Sequence, residues 1–148
     1  MRWLLVWVAL LAWPASTAAQ RAPAPLRIDT AAVDALLARY AAAIKVGDAA
    51  ALLAMASTRY HDDAGTPAPD DDIDYAVLRE HLQRRASRFQ TVDLALSITS
   101  LRVEGDRCHV EAAYDARVRI GGRERALRET VRLTLIEENG ELRFLSGM

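Results

Sequence analysis

The 148-residue chain is poor in cysteine and lysine, and past its first thirteen residues it has no tryptophan. With Cys108 alone there is no internal disulfide, no cysteine pair for redox chemistry and no thiolate set for zinc. Cys108 lies among alternating apolar residues and reads as a small buried hydrophobe. Lys45 is the only lysine, so arginine carries nearly all the positive charge, which together with the abundant alanine points to coding bias. The net charge of −1 lacks the basic excess that nucleic-acid binding needs, and no nucleic-acid partner is expected. No phosphate-binding loop, dinucleotide fingerprint or zinc-helix motif is present. No apolar run reaches the roughly 20 residues of a membrane-spanning helix.

What the chain does have begins with an export signal. Arg2 is followed by the uncharged run Trp3 to Trp13, about half a membrane span, then Pro14 and the small residues Ala15-Ser16-Thr17-Ala18-Ala19. Residues 1–19 read as a cleavable signal peptide, residues 20–28 as a stiff Pro-rich lead-in, and residues 29–148 as one domain. The expected location is periplasmic or secreted, with no membrane contact after cleavage.

Val33, Leu36, Leu37, Tyr40, Ala41 and Ile44 recur at helical spacing behind a cap at Asp29 or Thr30. Gly47 stops that helix, and Asp48 caps a shorter one through Leu52, Leu53 and Met55. Arg59 to Asp63 is a short extended piece, and residues 64–72 form a loop. A third helix starts near Asp72 or Asp74 with the stripe Tyr75, Leu78, Leu82 and Phe89. Glu80 and Arg84 stand one turn apart in it.

Beyond Phe89 the period changes to alternation. Leu94, Leu96 and Ile98 are out of phase with Leu101 and Val103, which predicts a bulge at Thr99 or Ser100. Without that bulge the first three would form an outward apolar strip suited to a dimer. Gly121-Gly122 is a two-residue hairpin signal, and it makes paired positions sum to about 243. Val110 then faces Leu133 and Tyr114 faces Glu129 on one side, while Asp115 meets Arg128 and Glu111 meets Arg132 on the other. A slip of one residue would destroy both patterns. Asn139-Gly140 is a second turn and sets Leu135 opposite Phe144. Helices followed by four meandering strands define an α+β fold, with the three helices covering the apolar face of the sheet.

These features together resemble the nuclear-transport-factor-2-like (SnoaL-like) superfamily. The residues that carry the likeness are the Val33–Ile44 stripe, Gly47-Asp48, Tyr60, the third helix ending at Phe89, the strands Val103–Arg107 and Val131–Ile136, and the ending Asn139–Gly147. Leu142 stands where relatives often have Trp, and no tail beyond Ser146-Gly147 is expected to close the fold. The resemblance implies three N-terminal helices in the concave face of a strongly bent antiparallel sheet, a cone-shaped, cystatin-like roll with a pocket between helices and sheet, and often dimers. The superfamily includes isomerases, hydrolases, cyclases and scaffolds, so the fold does not choose an activity.

Candidate pocket residues are Tyr40, Tyr60, His61, Tyr75, Tyr114 and Glu129. A carboxylate on an apolar face needs a partner or a cavity, so Glu129 is either a pocket wall or a residue reaching solvent at a bend. His61 and His81 form no motif, Ser57 has no nucleophile-elbow context, and Asp70 to Asp74 fails the calcium-loop pattern. Arg84, Arg85 and Arg88 suit the end of a helix. Neither a metal nor a cofactor is expected. The favoured reading is a binding or accessory module for a small apolar ligand or a protein partner. The alternatives are a pocket enzyme of the isomerase or hydrolase kind using a carboxylate base, and a dimeric structural domain. Mass spectrometry of the exported protein should find Gln20 or Arg21 at the N-terminus, and an intact Met1 would refute the signal peptide.

Overall fold

A computed structural model describes residues 28–86 and 90–148. Residues 1–27, which hold the expected signal peptide and most of the expected lead-in, lie outside the described residues, as do Arg88 and Phe89. Three helices, α1 (Thr30–Val46), α2 (Ala49–Ala54) and α3 (Tyr75–Ala86), are accompanied by two short strands, β1 (His61–Asp62) and β2 (Ile73–Asp74), which pair with each other. The main sheet follows as β3 (Gln90–Glu104), β4 (Arg107–Ile120), β5 (Arg123–Glu138) and β6 (Glu141–Ser146), an antiparallel meander in chain order.

The helix ends form where the sequence places them. The Asp29 carboxylate accepts from the Ala32 amide at 2.9 Å and caps α1, and Gly47 closes that helix in the left-handed conformation at φ 69°. Asp48 accepts from Ala51 at 2.9 Å to start α2. Of the two candidates for α3, Asp74 is the cap, accepting from Val77 at 2.9 Å. The α1 stripe enters the core: Val33, Leu36, Leu37 and Ile44 are buried, and Tyr40 and Ala41 are partly so.

The bulge stands at Thr99, between the pairs Ile98↔Ala112 and Ser100↔Glu111. It returns Leu94, Leu96 and Ile98 to the core side, where all three pack on the buried cluster. The outward apolar strip therefore does not form, and with it goes that route to a dimer. Every β4–β5 pair keeps the register set by Gly121 and Gly122, whose φ values of 56° and 80° suit glycine. Asp115 accepts from Arg128 at 2.9 Å and Glu111 from Arg132 at 3.1 Å on the outer face. Leu135 lies opposite Phe144, and Cys108 is buried with its thiol pushed up by desolvation.

One expectation needs correcting: the helices do not cover the whole apolar face. α1 rests on β3 and β6, while α2 packs between α1 and α3. At 17 residues α1 is about 25 Å long, whereas the 16 residues of β5 extend roughly 50 Å. The tip of the β4–β5 hairpin outruns its cover, leaving Ile120 and Leu127 each 43% exposed.

The chain after α2 is tied into the sheet. Ser57 donates its amide to Phe144 O at 2.8 Å, and Phe144 donates to Met55 O at 2.9 Å, a short parallel extension beside β6. The buried Ser57 hydroxyl donates to Glu138 at 2.7 Å, and Arg59 Nε adds a bond to the same oxygen at 3.2 Å. That use of the hydroxyl leaves Ser57 as a structural strut. The Ser57 hydroxyl, and then Arg59, hold the Glu138 carboxyl below its ordinary range. Asp93, exposed on β3, is held down likewise by Arg117 and Lys45. A lowered folded-state pKa contributes stability above the unfolded value and loses it as pH falls through the folded one. The denaturation midpoint should therefore drop as the buffer goes from about pH 5 to about pH 3. Glu138→Gln should flatten that drop without abolishing it, since Asp93 remains. An unchanged profile in urea titrations would refute the Glu138 contribution.

Candidate functional site

A cavity of about 180 Å³ lies where the α1 face meets the bend of the sheet. Tyr40 reaches it from α1, Leu96 from β3, Tyr114 from β4, and Glu129, Val131 and Leu133 from β5, with Gly147 and Met148 along one side. The alternation of the strands explains the set: Leu96↔Tyr114 and Tyr114↔Glu129 are direct cross-strand pairs, so one row of three side chains lines the wall. Tyr114 is half-buried and Glu129 is exposed, so the carboxylate sits at the mouth with its neighbours deeper. Tyr40 is positioned by its ring contact with the fully buried Phe144, centroids 5.2 Å apart.

The cavity has a wall that the sequence did not suggest. Asp62 accepts from the Gly147 amide at 2.7 Å, and the Tyr60 hydroxyl accepts from the Met148 amide at 3.0 Å while facing Asp62 at 3.4 Å. These bonds lay Gly147 and Met148 against the cone, correcting the expectation that no tail closes it. Burial pushes the Tyr60 pKa up, and the neighbouring Asp62 carboxylate adds to that, so the hydroxyl stays protonated. Tyr60 thus belongs to the latch behind the wall and does not line the cavity.

Two other candidates stand elsewhere. His61 is exposed and lies 3.6 Å from Asp72, and Tyr75 is half-buried at the start of α3 against the core. Neither lines the cavity. His81 is exposed on α3. Asp71 is engaged by the Thr66 hydroxyl within its loop. Among the described residues no group of three or more metal-ligating side chains converges. Arg84 pairs with Glu80 across one helical turn at 4.0 Å. On the opposite face of the sheet a second depression lies between Arg102, His109, Glu111 and Arg132. Its charges are already engaged: Arg102 and His109 with Glu104, Arg132 with Glu111.

Leu96, Val131 and Leu133 were readable as inward strand residues, but their role at a cavity needed the bend. Met148 carried no sequence signal at all, since its place depends on Asp62 and Tyr60, more than eighty residues earlier.

Helices packed into a bent meander with a cavity between them define an α+β cone. The fold is that of the nuclear-transport-factor-2-like (SnoaL-like) superfamily. A conserved protein from Planctomyces limnophilus shares it with a TM-score of 0.67 at 13% identity, over 78% of this chain and 90% of that one. A protein of unknown function from Mycobacterium tuberculosis gives 0.64 at 18% identity, over 78% and 67%. A ketosteroid isomerase-like protein from Erwinia carotovora atroseptica gives 0.63 at 17% identity, over 78% and 90%. No protein-family profile and no curated protein matches the sequence.

Gly147 runs close against the main chain of β5. Its φ is 88°, and a Cβ there would collide with the Arg132 carbonyl oxygen. Gly147→Ala should lower stability by about 1–3 kcal/mol and shift the Met148 methyl resonance as the wall lifts. An unmoved methyl signal would show that the wall does not depend on this close approach.

Proposed function

We propose that this is an exported binding module that takes a small, mostly apolar ligand, about one ring in size, into the cavity between α1 and the sheet. The observation that carries this reading is the cavity itself. Leucine, valine, methionine and tyrosine form its walls, and one carboxylate, Glu129, stands at its mouth. At about 180 Å³ the cavity suits a ligand of about one ring and lies below the range of drug-sized ligands. Glu129 accepts hydrogen bonds and favours a ligand with a cationic or hydroxyl end pointing outward. The half-buried Tyr114 beside it offers a phenolic hydroxyl and an aromatic face.

The enzyme reading places Glu129 as a general base and draws on the likeness to the ketosteroid isomerase-like fold. Acid–base turnover calls for a second group matched to the first. Among the described residues Glu129 is the only carboxylate side chain lining the cavity, no histidine lines it, and its ionisable companions are the phenols Tyr40 and Tyr114, a set we weigh toward binding over chemistry.

Titration with benzylamine and with toluene, followed by amide and methyl NMR, separates the readings. Benzylamine should saturate with shifts centred on Tyr114, Glu129 and Met148. Glu129→Gln should weaken benzylamine about tenfold or more and leave toluene nearly unchanged. No saturable shift with either compound would refute the pocket. Turnover of a carbonyl substrate that is abolished in Glu129→Gln would establish the enzyme instead.

A further inference from the structure

We propose that the free edge of β5 is an interface with a second copy of this chain, arranged about a two-fold axis at Ala126. β6 pairs with β5 only from Thr134 onward. From Arg123 to Val131, among the described residues, β5 pairs with β4 on one side and with no strand on the other, while Gly147 lies against Arg132 and Leu133. Residues 121–130 are all exposed. An open strand edge of this length is a template for another strand.

The hairpin fixes which groups face out. In a two-residue loop the flanking pair, Ile120 and Arg123, exchanges both main-chain bonds, and alternate pairs follow. Odd-numbered β5 residues therefore bond to β4. Glu124, Ala126, Arg128 and Thr130 turn their N–H and C=O groups to the open edge. An antiparallel partner centred on Ala126 meets this phase, setting Glu124 opposite the partner's Arg128 and Ala126 opposite its own copy as hydrogen-bonded pairs.

The charges then complement one another. Arg123 falls opposite the partner's Glu129 on the concave face, and Glu124 opposite the partner's Arg128 on the outer face. Within the chain Arg119 already pairs with Glu124, and Arg128 with Asp115. The outer row becomes Arg119, Glu124, the partner's Arg128, the partner's Asp115, alternating in sign across four strands. Arg123, Arg125 and Glu129 have no ion-pair partner among the described residues, so two of them gain one here. The Arg125 stem lies against the partner's Leu127, covering part of the apolar surface that the helices leave bare.

Other registers fare worse. Centring on Arg125 or Arg128 sets an arginine against itself. Centring on Leu127 keeps only the pairs between Arg125 and Glu129. Charged edges usually repel further strands; here the order of signs is self-complementary in one isologous register.

The partner also reaches the cavity. Tyr114 and Glu129 are neighbours in the concave row, and the next side chain in that row is the partner's Arg123. Glu129 at the cavity mouth thus gains a cation from the second copy. This interface stands whether or not the cavity binds a ligand.

Sedimentation equilibrium of the full chain at low salt should show a dimer that weakens as salt rises. Arg123→Glu should raise the dissociation constant at least about tenfold, and the charge swap R123E/E129R should restore it. A hydrogen-bonded antiparallel pair holds its Cα atoms about 5.5 Å apart, within disulfide range. Ala126→Cys should therefore cross-link on oxidation faster than Leu127→Cys, and the wild type, with Cys108 buried, should not cross-link. A monomer at about 0.5 mM, far above ordinary dimer affinities, would overturn the proposal. So would a dimer indifferent to Arg123→Glu, or preferential cross-linking at position 127.

Discussion

Two glycines in the left-handed conformation, Gly121 and Gly122, fix the pairing of β4 with β5, and the rest of the molecule depends on that pairing. A strand shows alternate faces, so a slip of one residue would carry the buried Val110 and Leu133 to the solvent and the Asp115 and Arg128 charges into the core. The same register makes Tyr114 and Glu129 neighbours. It also decides which main-chain groups of β5 point away from β4.

The cavity arises from a mismatch of lengths. A helix rises less than half as far per residue as a strand, so α1 covers only part of the sheet it rests on. The wall of the cavity forms near the limit of that cover. Beyond it the concave face is exposed, and there Leu127 and the charges of the hairpin tip stand open to solvent. A carboxylate such as Glu129 is tolerable on this face because it lies at that boundary, where water still reaches it.

Behind the cavity, polar struts join segments far apart in the chain. Ser57 and Arg59 converge on Glu138, while Tyr60 and Asp62 hold the amides of Met148 and Gly147. Both sets start from the segment after α2, which also pairs with β6 at Phe144. This segment is the frame against which the last strand and the cavity wall are placed.

Much of this was legible in local patterns. The caps Asp29 and Asp48, the stop at Gly47, the bulge at Thr99 and both hairpin registers follow from interactions among residues close in sequence or paired through tight turns. Such contacts are written in spacing, because a helix repeats every 3.6 residues and a strand every two. The likeness to the superfamily rested on those same patterns and so conveyed the fold without an activity. The cavity was only half legible. Tyr40, Tyr114 and Glu129 could be placed on an inward face, but Tyr60, His61 and Tyr75 could not be told from them, since side chains on one face separate according to where the sheet bends. Tertiary structure alone decided that Tyr60 and Asp62 reach across more than eighty residues to Met148 and Gly147. It alone decided how far α1 covers the sheet. Those outcomes depend on three-dimensional distances between elements, and no periodicity along the chain encodes them.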